Sequence, residues 1–151
     1  DPQQIRIAVR TCKVFSVQKG DVRMSLGYQA DDGSLIIDDL YLVEVIHGDV
    51  LQKELLNDLQ DNDAITILHL SDSDAKQMYK TQQFIAKRNA IGLKGKGSFS
   101  VGTTISCLSS ALPSDEILVD ILIQTDPQES FYAISENLDV FAQKGMDNIK
   151  Q

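Results

Sequence analysis

Two cysteines, three prolines, no tryptophan and two histidines in 151 residues are the scarcities of this chain, and each excludes something. Cys12 and Cys107 are too few for a disulfide framework and show neither CxxC nor Cys/His zinc spacing. His47 and His69 have no carboxylate at metal-ligand spacing, and no serine stands in a GxSxG context. No apolar run reaches the roughly 18 residues a membrane helix needs, the longest being Leu35 to Ile46 and Ile117 to Ile123, so no membrane insertion is expected. With 42% hydrophobic and 24% charged residues the composition is that of a globular protein, and 151 residues fit a single domain, 1–151, able to bury a core without a staple.

What the chain does have is charge sorted by sign. Between Asp31 and Asp74 stand twelve carboxylates and one base, Lys53, a local net of −11; between Ala75 and Ser114 all six charged residues are basic. In a chain of net −8 such blocks form poles of opposite sign if the fold keeps them apart, and such fields act on encounter and specificity. Lys76, Lys80, Lys87, Arg88, Lys94 and Lys96 are therefore the candidate partner-binding basic face. Nucleic acid is not the expected partner, because the basic block lacks a recognition motif and adjoins a strongly anionic one.

Alternation reads Ile5 to Val17 as a strand, Gln18-Lys19-Gly20-Asp21 as a hairpin turn, and Val22 to Tyr28 as its second arm. Asp31-Asp32-Gly33-Ser34 is a second turn. Leu35 to Ile46 is too apolar for a one-sided strand, which places it centrally in a sheet or gives it a bulge near Asp38. Asp49 opens a short helix carrying Leu51, Leu55 and Leu59; Ala64 to Leu70 is a strand; Ser71 to Asp74 is a capping box for a helix to about Asn89, with Ala75, Met78, Gln82 and Ile85 as its apolar stripe. Gly92 to Gly97 is a flexible connector. Strands follow at Ser98 to Cys107 and Ile117 to Ile123. Asp126-Pro127-Gln128-Glu129 then reads as the start of a third helix bearing Phe131, Ile134, Leu138 and Phe141. The expected fold is α+β, a mainly antiparallel sheet of about six strands with three helices in the order β-β-β-α-β-α-β-β-α.

The Gly92 to Gly97 segment lacks the Lys-Ser/Thr and helix mouth of a P-loop, and the pairs Asp61/Asp63 and Asp72/Asp74 lack the EF-hand spacing. No catalytic residue, cofactor or metal is assigned. A start at Asp1-Pro2 without Met fits either a mature form after signal-peptide removal or a trimmed chain; a periplasmic or secreted location is expected, and Cys12 and Cys107 are there either joined or two half-buried thiols. That bridge closes about 95 residues and contributes on the order of 4 kcal/mol in the loop-entropy account. The expected function is non-enzymatic protein binding or assembly, with a protein partner or self-association; the alternative is a carrier of a small apolar ligand between sheet and helices.

Overall fold

The computed structural model describes residues 1–12, 17–46, 55–56, 59–61, 63–103 and 118–139. These form eight strands and one α-helix in chain order: β1 (Arg6–Cys12), β2 (Val22–Ala30), β3 (Ile36–Leu42), β4 (Glu44–Val45), β5 (Asp63–His69), α1 (Asp72–Ala90), β6 (Gly95–Thr103), β7 (Leu118–Gln124) and β8 (Tyr132–Asp139). The strands make two antiparallel sheets, one ordered β4-β5-β1-β7-β8 and the other β3-β2-β6. The expected architecture of about six strands and three helices is thus corrected to two sheets with one helix among the described residues.

The period-two pattern of β1 explains its place. Its odd residues Ile7 and Val9 are fully buried and face the second sheet, while Ala8 is buried on the opposite side. Leu68, Ile7 and Ile123 lie abreast on β5, β1 and β7, and this row shares one core with Val22 and Met24 of β2, Tyr41 of β3, and Ala75 and Met78 of α1. A second, smaller cluster on the far face joins Ala8, Ile67 and Leu55 to the half-buried Leu122 and Phe131. Apolar burial on both faces is why β1 and β7 are interior strands.

Three expectations fail for identifiable reasons. The Gly20 turn (φ 93°) does not close a hairpin, because β1 and β2 enter different sheets. Leu35 to Ile46 is not central: β3 is an edge strand whose chain crosses to the other sheet at Val43, where the Val43 N–H donates to the Val22 carbonyl at 3.3 Å. The third helix is the strand β8. Asp126 caps a tight turn by accepting the Gln128 N–H at 2.9 Å, and two register shifts against β7 break the alternation of the strand that follows, so its apolar residues fall at helical spacings. Asn137, at φ 51°, sits in that irregular stretch and donates its N–H to Asp120 Oδ1 at 2.8 Å; Asp120 Oδ2 in turn takes Arg10 Nε–H at 3.0 Å. Of the first expected helix only residues 55–56 and 59–60 are described, with Leu55 buried and Leu56 exposed; Phe141 lies outside the described residues.

The middle helix forms as its signals require. Ser71 Oγ accepts the Asp74 N–H at 3.2 Å, and Asp72 and Asp74 occupy the first turn, where the helix dipole favours anions. At the other end Leu93 N–H returns to the Arg88 carbonyl at 3.0 Å and Gly92 N–H to that of Asn89 at 3.1 Å, a Schellman closure that needs the left-handed Gly92 (φ 87°). The buried stripe is Ala75, Met78 and Thr81, one position from the expected Gln82, which is exposed. Gly92 to Gly97 is not a connector throughout, since β6 begins at Gly95.

Candidate functional site

The site grows from the position of β3. Ala30 N–H bonds the Leu35 carbonyl at 2.9 Å and Val43 N–H bonds that of Val22 at 3.3 Å, which fixes the phase of the β2–β3 ladder. In an antiparallel pair the bonding residues alternate, so Ile37, Asp39 and Tyr41 turn their backbone groups toward β2. Ile36, Asp38, Leu40 and Leu42 turn theirs outward, to an edge with no further strand among the described residues. The same four project their side chains from the outer face of the sheet, and Ile36, Leu40 and Leu42 are 70%, 57% and 42% exposed. Folded proteins blunt open edges with charge, bulges or cover; here Asp38 is the one charge on that outward row.

On the inner side α1 stands beside the edge. Asp39 Oδ2 accepts both the Thr81 hydroxyl at 3.1 Å and the Tyr41 hydroxyl at 3.2 Å, which pins the helix to β3. An open cleft of about 290 Å³ lies along this seam, lined by Ile37 and Asp39 of β3 and by Gln77, Lys80, Thr81 and Phe84 of α1. Across the helix a second groove of about 330 Å³ runs between Ala75, Lys76, Tyr79 and Lys80 and the N-terminal residues Asp1 and Gln3, so Lys80 stands on the crest between the two. Half-exposed Tyr79 and Phe84 flank that crest, at 50% and 48%.

Burial, with the Asp39 carboxylate close by, pushes the Tyr41 phenol up to about 12. The folded state therefore holds this proton more tightly than the unfolded chain does, so its contribution to stability is intact below about pH 10 and is lost as pH rises toward 12. In an alkaline titration followed by phenolate absorbance, Tyr41 should ionise late, and Tyr41→Phe should remove a phenolate step near pH 12. An unchanged late step in Tyr41→Phe would contradict the arrangement.

The structure gathers three of the six expected binding residues. Lys76, Lys80 and Lys87, with Gln83, follow at spacings of four, three and four and make one exposed ridge opposite the buried stripe; none of the three lysines has an ion pair among the described residues. The other three lie elsewhere. Arg88 is half-buried and donates through Nη2 to Ser34 Oγ at 2.8 Å, Lys94 reaches the Asn89 carbonyl at 3.4 Å, and Lys96 is exposed on the outer face of β6. Acid and base also meet. Asp39 lines the cleft with Lys80, the Ser34 hydrogen bonds and then Arg88 hold the Asp32 carboxyl below its usual range, and Glu44 pairs with Lys19 at 2.6 Å.

Cys12 is a half-buried free thiol, and Cys107 lies outside the described residues, as does His47. His69 ends β5 opposite Arg6 and Glu44. Asp63 accepts the Gln60 N–H at 3.2 Å, a turn duty, and no group of three or more His, Cys, Asp or Glu is placed to hold a metal among the described residues. No described helix is long and apolar enough to cross a membrane. What the sequence reading missed is the exposed edge itself, whose signal was the apolar surplus of Leu35 to Ile46. No protein-family model matches the chain, and no curated protein or solved structure matches it significantly.

Proposed function

We propose that the protein is a non-enzymatic protein-binding component that engages an acidic partner through the lysine ridge of α1 and the apolar edge beside it. The observation that carries this reading is the β3 edge, which has no further strand beside it among the described residues and has α1 standing at its inner side. Its outer face exposes Ile36, Leu40 and Leu42, while on its inner side Lys80, which has no ion pair among the described residues, and Phe84 line the cleft with Ile37 and Asp39. Contiguous exposed apolar surface rimmed by charge is how interaction sites differ from ordinary protein surface. A carrier has less support, since the space between the sheets is taken up by Ile7, Met24, Leu68, Met78 and Ile121, each at most 1% exposed.

Selection of random peptides on the folded chain tests the proposal. Acid-rich peptides should be enriched, and their affinity should fall as salt rises, because exposed charges are screened over about 8 Å at physiological ionic strength. The combined variant Lys76→Glu, Lys80→Glu, Lys87→Glu should bind them about tenfold more weakly, since each exposed pair is worth only a fraction of a kcal/mol. Enrichment without acidic bias, or an unchanged affinity in the variant, would reduce the ridge to a solvated helix face.

A further inference from the structure

We infer that the cleft between β3 and α1 is a slot for an extended segment of a partner protein, which joins the three-stranded sheet as an additional strand beside β3 and turns an acidic and an apolar side chain inward. The inference rests on the protein-binding reading above and specifies its mode. Strand addition needs an edge with free backbone groups, and the ladder phase assigns those groups to Ile36, Asp38, Leu40 and Leu42. Residues of an added strand opposite Ile37, Asp39 and Tyr41 share their inner face and so point into the cleft walled by α1.

The helix is set in register with that edge. Thr81 meets Asp39, Phe84 shares the cleft with Ile37, and Arg88 bonds Ser34, so α1 ascends as β3 descends. Inward side chains of an added strand recur every two residues, about 6.8 Å, and Lys80 and Phe84 are four helical residues apart, about 6 Å. Successive inward side chains thus meet an ammonium group and then an aromatic ring. Lys80 has no ion pair among the described residues, whereas the Asp39 carboxylate already accepts two hydroxyls. The slot therefore favours a carboxylate beside Lys80 and an aliphatic side chain beside Phe84 and Ile37, the pattern acidic-x-apolar. On the outer face, Ile36, Leu40 and Leu42 would flank β-branched neighbours.

The test uses a blocked, fluorescent decapeptide alternating outward threonine with inward glutamate and valine. Two further peptides carry lysine in place of glutamate, or N-methyl groups on alternate backbone amides. Binding is read by anisotropy, and amide exchange on the protein is read by NMR. Expected are slowed exchange, by about tenfold or more, at the amides of Ile36, Asp38, Leu40 and Leu42, with those of Ile37, Asp39 and Tyr41 little changed because β2 already holds them. Lys80→Glu should weaken the glutamate peptide about threefold and favour the lysine peptide. Leu40→Pro, which removes only an outward donor and is tolerated on an edge, should reduce binding; the N-methylated peptide makes the same test without altering the protein and should not bind. Lysine-dependent binding without protection of the four amides would overturn strand addition while leaving the protein-binding reading intact. Selected acidic peptides that bind where the alternating peptide does not would have the same force. Protection of the four amides in a dimer formed without peptide would assign the edge to a second copy and overturn the partner assignment.

Discussion

Ile121→Ala is expected to lower the free energy of unfolding by about 3 to 4 kcal/mol. Ile121 is 1% exposed on β7, lies directly opposite Val9 of β1, and belongs to the cluster that joins both sheets and α1. Removing three carbons there loses their transfer free energy and leaves a cavity that a two-sheet core, anchored by ladders on both sides of β7, cannot easily collapse into. Against a total stability of about 5 to 15 kcal/mol for a domain of ordinary kind the loss is large. Ile121→Val should cost only about 1 kcal/mol, and Phe131→Ala less than a fully buried phenylalanine would, since Phe131 is half-buried on the smaller cluster. Urea unfolding measures all three, with an unchanged m-value showing that the same surface is exposed. A loss below 1 kcal/mol for Ile121→Ala would mean that the two sheets do not share a core.

The elements legible in the sequence are those whose geometry is regular. Strict alternation located β1, β2 and the middle of β6, and Ser71 with the Ala75–Met78 spacing located α1. β8 was illegible because bulges move its apolar side chains off the two-residue period and onto one that imitates a helix. β3 was misplaced for a different reason. Its apolar content was read as burial, yet Ile36, Leu40 and Leu42 are exposed on an edge, and nothing in a single sequence distinguishes an apolar residue packed inside from one kept outside. Pairing was the least legible, since β1 joins β5 and β7 from far along the chain while its neighbour β2 leaves for the other sheet.

The same contrast holds for the site. The lysine spacing of α1 gave a real ridge, but the sorted charge blocks do not translate into separate faces, because the acidic strand β3 is the one α1 lies against. Segregation along the chain thereby becomes proximity in space. Lys80 and Asp39 share a cleft, and Arg88 stands over the turn that carries Asp32. Steering by opposed poles is consequently weaker than the sequence suggests, and the useful field is local to the helix crest.

Asp39 should carry the largest single polar contribution to this architecture, and Asp39→Ala is expected to cost about 2 kcal/mol. Its Oδ2 is the acceptor for two hydroxyls, those of Tyr41 and Thr81, on residues only 4% and 9% exposed. Alanine takes the shared acceptor away from two hydroxyls whose residues are themselves buried, and an orphaned buried hydroxyl costs about 1 to 3 kcal/mol, more than the net worth of the bond it lost. Asp39→Asn keeps an acceptor oxygen and should retain most of the stability. The decisive comparison adds Tyr41→Phe and Thr81→Val to Asp39→Ala. With the donors removed along with the acceptor, the penalty of unsatisfied groups disappears, so the triple variant should be more stable than the sum of the single losses by about 1 kcal/mol or more. Binding should then separate from folding, because α1 without its pin no longer holds Phe84 and Lys80 at a fixed distance from the β3 edge. Strictly additive losses in urea unfolding would show that the two hydroxyls do not depend on Asp39 and that α1 is held to β3 by packing alone.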